Sequence, residues 1–437
     1  MKASEIIVGL DIGTTKIACI VGRRNEYGKI EVLGHGRSES LGVKRGMVSN
    51  IEDTVRSINH AVEEASQRSK VNIRNVIVGI AGQHIKSLQH KGSLIREKPE
   101  EDISRAEVDK LINDMYRLNM AAGEEIIDVI PQEFIVDGEQ GIKQPVGMTG
   151  SKLEANFHVI IGQTAAAKNI LKCVERAGLH MADLVLEPIA SAEAVLSQEE
   201  KEAGVVLVDI GGGTTDIAIF HDNIIRHTAV IPFGGDIITE DIREGCSIIK
   251  RHAEEVKVKF GSAMASFTRD DEVVSIPGIR GRQPREISFR NLASIIQARM
   301  EEIFEHVYYE IKNSGLERKL IAGIVLTGGG AQLKHIDQLA SFITGMEVKI
   351  GYPNEHLAST TYEELASPMY ATGIGLVIEG IIRYDYEEEM KNFQKPRKNE
   401  AQQPAEVTPS DEAKPAPPRR DSYLERIIRL FEREAQE

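Results

Sequence analysis

One motif, used twice, restricts this chain more than any other feature. IIVGLDIGTTKIACIVG near the start returns in mid-chain as VVLVDIGGGTTDIAIF, with Asp11 and Asp209 in equivalent places. Each copy is an apolar, β-branched run, a Gly/Thr turn and a second apolar run, which is the pattern of a hairpin. Glycines let such a turn bring backbone N–H groups close to an anion, and Thr hydroxyls add donors. Those residues are Gly13, Thr14 and Thr15 in the first copy, and Gly211, Gly212, Gly213, Thr214 and Thr215 in the second. Lys16 can set an ammonium against the same oxygens, and Asp11 and Asp209 can hold the waters of a bound Mg2+. A lone turn of this kind reads equally well as an ordinary tight hairpin, because Asp, Gly and Thr are turn residues. A matched pair instead implies two homologous halves that clamp one polyphosphate.

A third glycine cluster, Gly328, Gly329 and Gly330 in IVLTGGGAQLKHI, follows an apolar run and precedes a helical pattern, so exposed backbone there can lie flat against a nucleoside. Alone it is weak; as the third member of an ordered series it gains weight. Other nucleotide signatures are missing. The nearest approach to a P-loop, from Gly22 to Gly28 with Lys29, has the wrong gap and Ile30 where Ser or Thr is needed. Apolar runs at 6–10, 76–80, 205–210 and 324–327 read as buried strands. Helical periodicity covers 51–66, 165–177, 189–196, 291–312 and 336–342. This alternation predicts a layered α/β protein.

Composition narrows the partners. The net charge of -14 disfavours a general nucleic-acid binder, which needs Lys and Arg against phosphates. Cys19, Cys173 and Cys246 are scattered and odd in number, against a disulfide scaffold or four-Cys zinc site, so a reducing cytoplasm is expected. The start lacks a secretory signal pattern, and no apolar run reaches about 18 residues, so membrane contact is expected to be peripheral. From 387 to 420 the chain is rich in Pro, Gln and charge and nearly free of apolar residues, which predicts a flexible linker. Beyond it, across 421–437, an amphipathic helix is expected. Leu424, Ile427, Ile428 and Phe431 follow helical spacing, Tyr423 and Leu430 widen the stripe, and Ser422 with Glu425 forms a capping box. Arg426, Arg429 and Arg433 lie among these residues, and a basic amphipathic helix suits an anionic lipid surface. The alternative is a helix that docks on its own core or in a partner's groove.

The order of motifs resembles the actin, Hsp70 and sugar-kinase ATPase superfamily. GLDIGTTK looks like its first phosphate motif, VLVDIGGGTTDIAIF the second and IVLTGGGAQLKHI the adenosine motif; LEPIASAEAVL and YATGIGLVIEG resemble its two connecting helices. Within it the chain resembles the bacterial cell-division FtsA family, through a long insertion containing VIPQEFIVDG and PVGMTGSKLEANFHVIIG, and through the linker and short terminal helix. The resemblance implies an actin-like ATPase fold of two RNase H-like halves around a nucleotide cleft, with an FtsA-type 1C subdomain in place of 1B. Residues 1–82 and 163–200 would form the first half (1A), 83–162 the 1C insertion and 201–386 the second half, with 2B at about 239–299.

It further implies ATP with Mg2+ bound by the residues named above. Glu187, just before Pro188, stands where such ATPases place the residue that orients the attacking water; a solvated strand-end carboxylate is the other reading. AEEVKVKFGSA resembles the adenine-contacting segment of bacterial actins, which makes Glu255 and Lys257 candidates, against a plain amphipathic surface. Hydrolysis is expected to be slow at most. The implied function is an adaptor that polymerises at the inner face of the cytoplasmic membrane and anchors the tubulin-like FtsZ ring at the division septum. FtsZ's C-terminal peptide would bind 2B, later division proteins would meet 1C, and anionic lipids would take the tail. The alternatives are a sugar or small-molecule kinase, a chaperone-like ATPase and a pilus-assembly adaptor resembling PilM. A kinase gains nothing from a lipid-binding tail, a chaperone needs a substantial C-terminal β domain, and the PilM resemblance does not extend to the terminal helix.

Overall fold

The computed structural model describes residues 5–278, 283–358 and 362–393. The duplicated motif becomes a duplicated sheet. In the first half the strand order is Ile30–Glu39, Lys16–Arg24, Ile7–Ile12, Asn75–Ile80, His180–Leu186. The first three pair antiparallel through hairpins and the last two join in parallel. The second half repeats the plan with Ile224–Ile231, Thr215–His221 and Val205–Ile210 antiparallel, then Ile324–Thr327 and Val348–Ile350 parallel.

Parallel strands need crossovers, and helices supply them. In the first half Ile51–Ser69, started by the Asn50 side chain accepting from the Asp53 N–H, buries Ile58, Ala61 and Ala65 against the sheet. The halves differ in which crossover is elaborated. In the second half the first crossover carries the helices Gly235–Cys246, Lys250–Phe260 and Phe289–Asn313 and the hairpin Val273–Ile276 with Arg285–Ser288. The corresponding crossover of the first half is shorter: before Ile51–Ser69 it holds the small hairpin of Val43–Lys44 and Met47–Val48 about the turn Arg45-Gly46.

The first half instead carries its insertion in the second crossover. There Lys86–Ile95, Lys152–Gln163, Glu124–Val136 and Glu139–Ile142 form a four-stranded antiparallel sheet covered by the helix Arg105–Met115. Leu111, Phe134, Leu153 and Phe157 form its own core, so it is a small folded unit in itself.

The two halves share a core. Ile20 and Val32 from the first pack with Val205, Leu207 and Phe220 from the second, bridged by the helices Glu187–Val195 and Ala371–Phe393. These helices cross so closely that a Cβ on Gly375 would lie 1.8 Å from the Ala190 carbonyl oxygen. The last helix runs to Phe393, so 387–393 are helical where the sequence predicted linker. Poverty in apolar residues removes a reason to pack, but Glu, Met and Lys extend an existing helix at little cost. The rest of the expected linker and the terminal helix lie outside the described residues. Among the described residues no helix is long and apolar enough to cross a membrane.

Candidate functional site

The two Gly/Thr turns meet across the cleft. A Cβ on Gly212 would fall 1.8 Å from the Thr15 hydroxyl oxygen, and one on Gly213 would fall 2.6 Å from that of Thr14. The glycines therefore let the two turns come into direct contact, where a side chain would collide. Thr14 Oγ1 accepts from the Gly46 N–H at 3.1 Å, which ties the Arg45-Gly46 turn to the first phosphate turn. Arg45 holds φ at 49°, a left-handed conformation uncommon for a residue with a Cβ.

Hairpin register decides which side chains face the cleft. Asp209 pairs with Asp216, so the two share a face; Ile210 pairs with Thr215, and Ile210 is core. Thr215 is accordingly buried and donates to the Phe233 carbonyl at 2.9 Å, so the structure does not bring its hydroxyl to the turn. Thr214 donates to Asp216 Oδ2 at 2.8 Å. Sequence reasoning missed Asp216, although it directly follows Thr215 in the motif. Applying the two-residue period of a strand across the hairpin would have exchanged these two residues.

Four carboxyls and one ammonium cluster where the halves meet. Lys16 Nζ donates to Asp11 Oδ2 at 2.6 Å and lies 5.4 Å from the centre of the Tyr370 ring. Asp209 Oδ2 accepts from Ser191 at 2.7 Å and Thr372 at 3.3 Å, which brings both connecting helices into the site. Glu187, half-buried at the head of the first connecting helix, lies over Gly79, whose Cβ would meet its Cγ at 2.8 Å. Burial, then repulsion from Asp11, Asp216 and Asp209, holds the Glu187 carboxyl well above the usual range. Burial likewise raises Asp209 against the pull of the Ser191 hydroxyl, and burial with Asp209 beside it pushes Asp216 up to about 7.

Such crowding calls for a cation. Asp216 Oδ1 is buried without a hydrogen-bond partner. Among the described residues no three Asp, Glu, His or Cys side chains converge closely enough to ligate a metal directly. The unpartnered Asp216 oxygen and the crowded carboxyls fit a nearby cation; Asp11 and Asp209 would hold a hydrated Mg2+ through its waters.

The pH consequence has a definite sign. Asp216 binds its proton more tightly folded than unfolded, so its contribution to stability falls as pH rises from the ordinary Asp range of about 4 through about 7. For Asp216 alone the shift is worth on the order of 4 kcal/mol. Asp216→Asn is expected to flatten the decline in melting temperature across that window in Mg2+-free buffer. A slope identical to wild type would remove Asp216 as its source.

The adenosine cluster is positioned against the same strand. Gly328, at φ 82°, would put a Cβ 2.3 Å from Asp209 Oδ1, and one on Gly330 would strike the Ile210 side chain at 2.3 Å. Gly329 is exposed, and a Cβ there would meet nothing within 4 Å. Opposite, the N–H groups of Gly235 and Asp236 donate at 2.8 Å to the carbonyls of Gly211 and Gly212, seating that helix's first turn on the second phosphate turn. Lys257 Nζ reaches the Gly235 carbonyl at 2.8 Å, Thr239 Oγ1 at 2.8 Å and Glu254 Oε2 at 2.7 Å. Lys257 thus joins the network behind the turn. Glu255 is exposed, pairs with Arg251 at 3.5 Å and does not join it.

Comparison with known proteins agrees with this architecture. A family model described as cell division protein FtsA matches residues 206–375, and one described as the SHS2 domain inserted in FtsA matches 82–161. The chain is 40% identical over 382 residues to cell division protein FtsA of Pseudomonas aeruginosa, covering 87% of this chain and 90% of that protein. It is 35% identical over 389 residues to FtsA of Escherichia coli K12, covering 87% and 92%. Among solved structures, a PilM-PilN type IV pilus biogenesis complex superposes with a TM-score of 0.64 at 16% identity, covering 87% of this chain and 99% of the matched one. MreB 5 of Spiroplasma citri, solved bound to AMPPNP, superposes at 0.53 and 17% identity, covering 90% and 100%. At such identities these two likenesses establish the actin-like fold alone.

Proposed function

The chain belongs to the FtsA family of cell division proteins, and from that premise we propose that it binds Mg-ATP between its halves, polymerises at the inner face of the cytoplasmic membrane and anchors the FtsZ ring there. The observation that carries the reading is the meeting of two phosphate-type turns beside a cluster of Asp11, Asp209, Asp216 and Glu187, with Lys16 among them. Thr14, Thr15, Lys16 and the glycine backbones of both turns hold the phosphates. Gly329 and Gly330 carry the nucleoside, with Lys257 supporting its far side. Bound Mg2+ supplies positive charge against the developing phosphate charge. FtsZ's C-terminal peptide docks at about 239–299, later division proteins meet the insertion, and residues 421–437 attach the assembly peripherally to anionic lipid at the septum.

Slow turnover has a physical basis in Glu187. Burial and the neighbouring carboxylates raise the Glu187 carboxyl and so disfavour the charged form that would accept a proton from an attacking water. Glu187→Ala is expected to keep ATP affinity within about threefold while lowering residual hydrolysis roughly tenfold to a hundredfold. Equal loss of binding and turnover would give Glu187 a structural role instead. The assembly is tested by co-sedimentation of the full chain with anionic liposomes, ATP and the FtsZ tail peptide. Absence of peptide from the lipid pellet at every nucleotide condition would overturn the anchoring role.

A further inference from the structure

The inserted module grows from the first half but is seated on the second. Its seat is the edge strand Ile224–Ile231, whose inner side pairs with Thr215–His221. Ser87 Oγ donates to the Thr228 carbonyl at 3.2 Å, Gln89 Nε2 to the Arg226 carbonyl at 3.0 Å and Gln132 Nε2 to the Ile225 carbonyl at 2.6 Å. His158 Nε2 lies 3.0 Å from Thr228 Oγ1, and its Nδ1 lies 3.1 Å from Gln89 Nε2. These side chains occupy carbonyls that an edge strand leaves free, without adding a strand to the sheet. His158 is buried, and burial together with the nearby His227 lowers its pKa to about 4, so it is neutral here.

This row is the kind of contact that can part and reform. Water can replace each side-chain bond to a main-chain carbonyl, whereas the module's own core keeps it a single body. The halves are also joined at the crossing helices and where Thr14 and Thr15 meet Gly212 and Gly213. A rotation that separates the two turns about the crossing helices moves Ile224–Ile231 relative to the first half, and the module is rooted in that half at both of its ends. The row must then shear or the module must follow the second half.

We propose that the seat of the insertion on Ile224–Ile231 is made and released as the cleft closes and opens around nucleotide, so that the module presents its outer surface in a nucleotide-dependent pose. This rests on the cleft being the nucleotide site. Linkage makes the coupling reciprocal: whatever factor ATP applies to the seat, the seat applies to ATP affinity.

The test uses the full chain with Ser87→Cys and Thr228→Cys, the three native cysteines being buried. Disulfide formation under mild oxidant is followed with and without Mg-ATP, alongside fluorescent-nucleotide titration of the reduced and oxidised forms. The rate is expected to be at least fivefold higher with Mg-ATP, since closure makes the seat. Oxidation should tighten ATP affinity in return, and a crosslink slowed by ATP would overturn the proposal. Gln89→Ala with Gln132→Ala, which loosens the seat without a crosslink, should move affinity the opposite way. Equal rates on ATP-saturated and nucleotide-free protein, or no crosslink in either, would overturn the proposal while leaving the cleft reading intact. Failure of the reduced protein to bind ATP at all would overturn both, and it shows in the titration, not in the crosslink.

Discussion

Gly329→Asp should cost about a hundredfold or more in ATP affinity and leave the melting temperature within a degree or so of wild type. The substitution is clean because Gly329 sits at φ -63°, ψ -35°, which any residue adopts, and its Cβ would face open space. Nothing in the folded chain has to move. With nucleotide bound as proposed, a carboxylate placed there would meet it, and juxtaposed like charges cost several kcal/mol, of which about 3 kcal/mol already makes a hundredfold. The neighbours show why this position is the informative one. A side chain on Gly328 would collide with Asp209 and one on Gly330 with Ile210, so loss of binding there would report damage to the strand that carries the site. Asp209→Asn complements it. That variant keeps an acceptor for Ser191 and Thr372 but loses the charge, so its ATP affinity should lose its dependence on Mg2+. Fluorescent-nucleotide titration with and without Mg2+ measures both, and wild-type affinity in both variants would remove the nucleotide from this cleft.

Much of this site could be read from sequence because its chemistry is local. A turn that must approach an anion needs glycine, and a sheet built twice repeats its hairpin, so Asp11, Lys16, Asp209 and the glycines announced themselves by order alone. What escaped depended on register and on distant packing. Thr215 and Asp216 are adjacent in sequence and opposite in space, a distinction visible once Ile210 is known to be core. Ser191 and Thr372 reach Asp209 from the two crossing helices, whose approach is set by Gly375 against Ala190 and leaves no mark on local pattern. The seat of the insertion on Ile224–Ile231 was equally hidden, because Ser, Gln and His on alternating strands look like ordinary solvent-facing residues until the opposite edge is placed beside them. Glu255 and Lys257 show the converse. One residue pair of the same resemblance divides, Lys257 joining the network behind the turn and Glu255 staying on the surface.

Ile428→Glu with Phe431→Glu is expected to abolish attachment to anionic vesicles at any salt concentration. Partial burial of the six apolar side chains Tyr423, Leu424, Ile427, Ile428, Leu430 and Phe431 in lipid would supply on the order of 1 kcal/mol each, enough for reversible attachment. Removing two of them loses roughly 2 kcal/mol, about thirtyfold, and placing two carboxylates in the stripe adds repulsion from lipid headgroups and the cost of drawing charge into the interface. The arginines make a separable contribution. Replacing Arg426, Arg429 and Arg433 with Gln should weaken binding chiefly at low ionic strength, where headgroup attraction is least screened. On the proposed reading each single tail would hold weakly and polymerisation would multiply attachment without any new contact, so binding should steepen with protein concentration once ATP is present. Co-sedimentation of the full chain, a form ending at 420 and the doubly substituted form across a salt series separates these terms. Attachment that survives both the truncation and the double substitution would mean that residues 421–437 are not what holds the protein to lipid.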